Sequence, residues 1–334
     1  MKGLPRLLLA LLLIFAIAPG VAFAAKKKVI KIGHGANEKY HMHRALLKFK
    51  DLVEKGSNGE LEVQIFPSSQ MGPDREMIEG VQTGVLEMCV PPSSFFPGWD
   101  PAFAIIELPF MYPSKAIALK TLHSPEGKKM LKRLEALDLV GLGWLENGTR
   151  HITNNVRAIN SPNDLQGVKL RTMKVPAHVD TFKALGANPT PMNFGEVYSG
   201  LQQGVIDGQE NPVAHIYSQR FFEVQKHMSL TGHVFTVYIP VMSKYFYDSL
   251  SEKHQTLLLD SMAKTEDYQQ QLVNTEESSQ LAEIEKSGVK VTRLAPEEIK
   301  PFMAKVGSVK TKYRKEAGAE VYDAWVKAVE KASL

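Results

Sequence analysis

A single cysteine, Cys89, stands in this chain of 334 residues. It allows no internal disulfide and no cluster of thiolate metal ligands. The fold must therefore be held by its core, and the length is enough for two lobes. An excess of one charge is also lacking. Without Lys2 and Arg6, 38 basic residues face 36 acidic ones, a balance that argues against nucleic acid as a partner. The longest apolar run is confined to the first 24 residues. Lys2 and Arg6 lead into Leu7 to Ile17, and Ala22-Phe23-Ala24 supplies a small-x-small cleavage pattern, the order of an export signal over 1–24. The run is too short for a permanent membrane helix, which needs about 20 apolar residues. The expected product begins near Ala25 and is soluble in the periplasm. It is free of lipid, because Cys89 lies far from the cleavage site.

Signatures of catalysis are missing as well. There is no Gly-x-Ser-x-Gly elbow, phosphate loop, HExxH or Cys-x-x-Cys. Gly33-His34-Gly35 is only a fragment of a dinucleotide loop. His41-x-His43 has no carboxylate partner in the sequence and is expected on a solvated helix start rather than on a metal. Asn147-Gly148-Thr149 reads as a turn. No cofactor and no metal are expected. The competing class is a secreted hydrolase or lyase that pairs His34 or His233 with a carboxylate, but it has no nucleophile motif.

What is present is an alternation of helix and strand signals without a low-complexity linker. Ala45, Leu46, Phe49, Leu52 and Val53 share one helical face, and Gly56 stops that helix. Leu61, Val63 and Ile65 alternate with polar residues as a half-buried strand does. Val140 to Leu145 and Val168 to Arg171 read as strands, and Pro176 to Leu185 as a helix with proline in its first turn. The pattern predicts an α/β fold with mixed sheets. An internal repeat supports two lobes: EMIEGVQTGVLE from Glu76 and EVYSGLQQGVID from Glu196 share five of twelve positions at an offset of 120 residues. Each reads as a helix closed by glycine and followed by a short strand. From Glu252 to Ser287, 36 residues pass without glycine or proline, with Ser251 placed as an N-cap. This predicts either one strut of about 50 Å or two helices broken near Asn274 to Ser279. A strand, Val289 to Leu294, and two helical stretches ending near Ala332 close the chain.

One anion site is legible by position. Arg171 ends a strand immediately before a helix, where ligands collect in open α/β sheets. Its planar fork matches a carboxylate. Arg150 follows a strand and is placed nearby.

The surrounding residues resemble the substrate-binding proteins of TRAP (tripartite ATP-independent periplasmic) transporters. The similarity runs through Leu170-Arg171-Thr172-Met173, Leu185 to Met192, Glu196-Val197-Tyr198, Leu201-Gln202-Gln203-Gly204 and Asp207 to Pro212. Upstream it includes Phe66 to Gly72, Glu107-Leu108-Pro109-Phe110 and Asn147 to Arg150. The resemblance implies a two-lobed periplasmic-binding-protein fold with a central cleft and a long helix bridging both lobes. It implies lobe I at 28–147 plus 237–276 and lobe II at 148–236 plus 277–334. It implies that Arg171 pairs with a substrate carboxylate, that Arg150, Phe194 and Asn211 complete the pocket, and that the loaded monomer docks on integral membrane subunits. His34, Asn37, Ser93 and Phe95 are the first-lobe candidates. Where sialic-acid binders of the family carry a glutamate, this chain has Val90-Pro91-Pro92-Ser93-Ser94, followed by Phe95, Phe96 and Trp99. Prolines offer no side-chain hydrogen bonds, so a compact, apolar or aromatic acid is expected rather than a sugar acid. A ligand sensor docking on a receptor kinase is the alternative.

Overall fold

The computed structural model describes residues 27–334. The export signal expected over 1–24 lies outside the described residues. Two mixed sheets organise the chain. The first holds β1 (Lys28–Gly33), β2 (Leu61–Phe66), β3 (Met88–Cys89), β4 (Leu139–Gly141) and β10 (Val241–Ser243) in the order β2-β1-β3-β10-β4. The second holds β5 (Leu145–Asn154), β6 (Lys169–Thr172), β7 (Asn188–Pro191), β8 (Gly208–Pro212), β9 (His227–Tyr238) and β11 (Lys290–Arg293) in the order β11-β9-β5-β8-β6-β7. β1 to β3 run parallel to one another, and so do β6 to β8. Helices cover both sheets, so the fold is the expected two-lobed α/β architecture.

The repeat has a physical basis. Helix Asp74–Gln82 and helix Val197–Gln202 both end in a glycine with positive φ, Gly84 at 75° and Gly204 at 70°. In each case two successive N–H groups after the turn return to one carbonyl: Val85 and Leu86 to Gly80, Val205 and Ile206 to Gly200. Leu86 and Ile206 are then buried and lead into β3 and β8. The matching glycines therefore close the same helix-to-strand turn in both lobes.

The strut reading holds. One helix, Glu252–Lys286, runs unbroken through Asn274 to Ser279, and the Ser251 hydroxyl accepts from the His254 N–H at 3.3 Å. Its Leu258 and Met262 enter the core under the first sheet, and its Ile284 enters the core under the second. Midway it grips the segment that passes between the sheets. Glu266 Oε1 accepts from the Trp144 N–H at 2.7 Å, and Gln269 bonds both the N–H and the carbonyl of Glu146. This close approach requires Gly143, because a Cβ there would lie 1.9 Å from Glu266 Oε1.

Burial pushes the Glu266 carboxyl up to about 8, against the hydrogen bond from Trp144. The native state therefore holds a proton that the unfolded chain releases above its ordinary value of 4.5. Stability should fall as pH rises through that window, and the loss should be complete above about 8. Glu266→Gln keeps the acceptor for Trp144 but cannot ionise. Urea unfolding at pH 6 and 9 should show the variant ahead of the parent at the higher pH by on the order of 2–4 kcal/mol. Equal pH slopes in the two proteins would refute a neutral Glu266.

Several local expectations need correction. Val140 to Leu145 is not one strand: β4 stops at Gly141, and Leu142 to Trp144 is the crossing segment beside Pro240. Arg150 consequently sits inside β5, not after a strand. Asn147-Gly148-Thr149 belongs to β5 as well, at a bulge between Glu146 and Gly148, where Gly148 adopts φ 128°. His41 and His43 are buried rather than solvated, at 3% and 7% exposure. His41 bonds Gln269 at 3.1 Å, whereas His43 bonds His34 at 3.0 Å, so the two do not converge. The C-terminus forms three helices, Pro296–Lys305, Gly307–Ala317 and Ala319–Ala332, because Gly307 and Gly318 divide the expected two.

Candidate ligand-binding site

The carboxyl ends of the two parallel strand sets point at one space. Gly35 and Ala36 follow β1, Ser69 and Asp74 follow β2, and Pro92, Ser94 and Phe95 follow β3. Met173 to Ala177 follow β6, Met192 to Glu196 follow β7, Asn211 lies at the end of β8, and His215 is in the helix that follows it. All line a single cavity of about 510 Å³. Six strand ends meeting in one crevice is the arrangement that makes a ligand site in α/β folds.

Arg171, on β6, is 2% exposed. Its Nε and Nη2 both donate to the Met192 carbonyl, at 3.1 and 2.8 Å. Its Nη1 is buried without a hydrogen-bond partner among the described residues, and no carboxylate lies within ion-pair distance of the guanidinium. Burial, followed by repulsion from Arg150 and against attraction from Glu210 and Asp74, lowers the group to about 10, so it remains a cation at neutral pH. The Phe194 ring lies 5.9 Å from the Arg171 Cζ. A buried cation whose only close partner is a neutral carbonyl is costly to the fold, and an anion in the cavity would offset that cost.

Arg150, also lining the cavity, is in the opposite situation. It sits between two irregularities of β5, one between Glu146 and Gly148 and one between Arg150 and Ile152. Its Nε and Nη2 grip the Glu210 carboxylate, and Nη2 also donates to the Glu210 carbonyl at 2.6 Å. Glu210 is held further by His233 Nε2 at 3.1 Å and lies 3.7 Å from His178 Nδ1. Burial works against the ionised Glu210, but Arg150, His178 and His233 outweigh it and hold the carboxyl well below the usual range. The charge of Arg150 is thus already matched inside the protein.

The other sequence candidates divide cleanly. Asn211 lines the cavity and donates from Nδ2 to Gln209 Oε1 at 2.5 Å, leaving its own oxygen and second N–H uncommitted. Phe194 and Phe95 also line it. His34 does not, being turned toward His43; burial lowers its imidazole to about 3. Asn37 bonds the Ser218 carbonyl at 2.8 Å, and Ser93 donates to Glu107 at 2.5 Å; neither reaches the cavity. Of the aromatic run, only Phe95 faces the space. Phe96 is fully buried against Phe103, and Trp99 lies under the Arg75 guanidinium at 4.8 Å.

Sequence reasoning missed several polar groups on the wall, among them Asp74, Asn147, His215 and Tyr238. Burial pushes the Asp74 carboxyl up to about 6, against the attraction of Arg171. Tyr40 donates to both the carbonyl and the side-chain oxygen of Asn147, at 2.8 and 2.9 Å. His215 pairs with the Tyr238 hydroxyl at 2.7 Å. Of these, only Asn147 stood in a stretch the sequence had marked, through its tract with Arg150.

A two-lobed α/β protein with a crevice at converging strand ends and a buried, unpaired arginine is a solute-binding protein by architecture. Residues 32–316 match the family model described as bacterial extracellular solute-binding protein, family 7, and the chain belongs to that family. It is 36% identical over 262 residues to the 2,3-diketo-L-gulonate-binding periplasmic protein YiaO of Escherichia coli (strain K12), a match covering 78% of this chain and 80% of that one. Among solved structures it is similar to the sugar acid binding protein DctPAm of Advenella mimigardefordensis strain DPN7T in complex with galactonate. That match has a TM-score of 0.89 and 31% identity, over 92% of this chain and 99% of the other. It is also similar to a TRAP periplasmic solute binding protein from Polaromonas sp. JS666 bound to D-erythronate, with a TM-score of 0.86 and 36% identity over 90% and 98% of the two chains.

Proposed function

We propose that this protein captures a small organic acid in the periplasm, with Arg171 pairing with the carboxylate, and delivers it to the integral membrane subunits of a TRAP transporter. The observation that carries this reading is the Arg171 guanidinium: buried on a residue that lines the cavity, unpaired with any described carboxylate, and with Nη1 left without a hydrogen-bond partner. The relatives described above support it, since 2,3-diketo-L-gulonate, galactonate and D-erythronate are all carboxylates. Pro92, Phe95, Pro97 and Met173 give the cavity apolar surface, and Asp74, Asn147, Asn211 and His215 give it polar groups. This supports an acid whose remainder combines apolar and hydrogen-bonding parts.

The lobe limits, 28–147 plus 237–276 and 148–236 plus 277–334, are part of this reading. The two sheets support them, with β5 and β9 crossing at the limits. Helices Gly307–Ala317 and Ala319–Ala332, however, pack on Pro101–Glu107 and Lys115–Leu122, so the C-terminal helices tie the halves together.

A melting screen of the mature protein with organic acids at about 1 mM tests the function. A micromolar ligand should add about 4 kcal/mol of stability by mass action, which is several degrees of melting temperature at about 2 °C per kcal/mol. Shifts from sugar acids, hydroxy acids or dicarboxylates, but not from the corresponding neutral sugars or amides, are expected. A shift from neutral compounds alone would overturn the carboxylate reading.

A further inference from the structure

Seventeen buried side-chain nitrogen and oxygen atoms in the described residues have no hydrogen-bond partner, and only two of them belong to residues that line the cavity: Arg171 Nη1 and His215 Nδ1. Buried polar atoms are ordinarily paired, so an orphan at the wall of a ligand cavity marks a place where the ligand supplies the partner. The two residues flank one ring: Phe194 lies 4.7 Å from the His215 ring and 5.9 Å from the Arg171 Cζ. A small molecule seated against Phe194 would lie beside both residues.

His215 is held for this task on every side. It is 3% exposed. Tyr40 stacks on it at 3.9 Å with an interplanar angle of 4°, Phe194 meets it edge-on from another side, and Nε2 is fixed by the Tyr238 hydroxyl at 2.7 Å. Tyr40 is itself pinned by Asn147. The imidazole cannot turn to find another partner for Nδ1. Burial first, and then the charges of Arg150, His41 and Arg171, keep the ring well below its ordinary value, so it is neutral at pH 7. A neutral imidazole so fixed presents either an acceptor or an N–H at Nδ1, according to which way the Tyr238 bond runs. A hydroxyl satisfies either arrangement, because it donates and accepts. A methylene satisfies neither and leaves Nδ1 orphaned.

We infer that His215 is a specificity-determining residue, whose Nδ1 bonds a hydroxyl close to the carboxylate that Arg171 holds, so that the protein selects hydroxy acids over their deoxy counterparts. This rests on the reading under Proposed function.

The test is calorimetric titration of the full mature chain with D-erythronate and galactonate and with their 2-deoxy and 3-deoxy counterparts. At least one deoxy position should weaken binding to the parent by about 10- to 100-fold, the cost of leaving a buried polar atom unpaired. His215→Phe keeps a ring between Tyr40 and Phe194 but has no nitrogen. In it the preference should collapse to within about threefold, through loss of the hydroxy acid rather than gain of the deoxy acid. A second measurement needs no variant: in protein labelled with ¹⁵N-histidine, the Nδ1 resonance of His215 should move on saturation with the hydroxy acid and not with the sensitive deoxy acid. A preference that survives His215→Phe at both positions, or an unmoved Nδ1 resonance, overturns the inference. If Arg171→Ala still abolishes binding in that case, only His215 was misread. If no acid of the panel binds the parent, the reading under Proposed function fails and this inference fails with it.

Discussion

Arg171→Ala should weaken the bound acid by about 2–5 kcal/mol, on the order of 30- to several-thousand-fold in affinity. The removed group is a buried, permanently charged fork with one N–H edge already spent on the Met192 carbonyl and Nη1 unspent. Arg171→Lys should lose most of the affinity as well, because an ammonium cannot bond Met192 and a carboxylate in one plane. The effect on folding should have the opposite sign. No described ion pair compensates the burial of this cation, so Arg171→Met should be at least as stable as the parent in the absence of ligand. Calorimetry and urea unfolding on the same preparations check both halves. Binding kept within threefold in all three variants would make Arg171 a structural residue only.

Removing the neighbouring charge should do the reverse. Glu210→Gln leaves Arg150, 1% exposed, without the carboxylate charge that grips it, and also removes that charge from beside His233. Breaking a buried pair from one side costs about 3–5 kcal/mol, and that loss should appear in urea unfolding at pH 7. The parent itself should resist acid at this site. A carboxyl held below its ordinary value contributes stability that is full above about pH 4.5 and fades only as pH falls toward its native value. In the variant that contribution is gone at every pH above the fade, so the two unfolding curves should converge only in strong acid. A loss below 1 kcal/mol at pH 7 would mean that Arg150 finds another partner when Glu210 is neutral.

These two arginines show what a sequence can and cannot disclose. Both were placed near an anion by strand position, and both line the cavity, yet only one is left unpaired. The difference lies in Glu210, 60 residues from Arg150 in the chain and brought beside it only through the β5–β8 pairing, in which Arg150 faces Pro212 and Glu210 faces Ile152. The strut was legible because 36 residues without glycine or proline leave a helix no local reason to stop. The repeat was legible because a helix-closing glycine has a conformational requirement that few other residues meet. The break at Leu142 to Trp144 was not legible, since those residues continue an apolar run. What interrupts the strand there is tertiary: the crossing between sheets and the grip of Glu266 on Trp144. The polar wall was hidden for a similar reason. Pro91 and Pro92 carry no hydrogen-bonding side chains, but Asp74, His215 and Tyr238 reach the same space from other strand ends. Phe96 reads like Phe95 in sequence, and a 3-10 turn over Ser93–Gly98 sends one into the core and the other to the cavity.

The most direct measurement is a crystal structure with whichever acid gives the largest melting shift. A carboxylate oxygen should lie within about 3 Å of Arg171 Nη1, the ordinary length of a charge-assisted bond, with the Met192 carbonyl still on Nε and Nη2. A carboxylate seated elsewhere in the cavity, with Nη1 untouched by ligand, would contradict the assignment of Arg171 as the anion site.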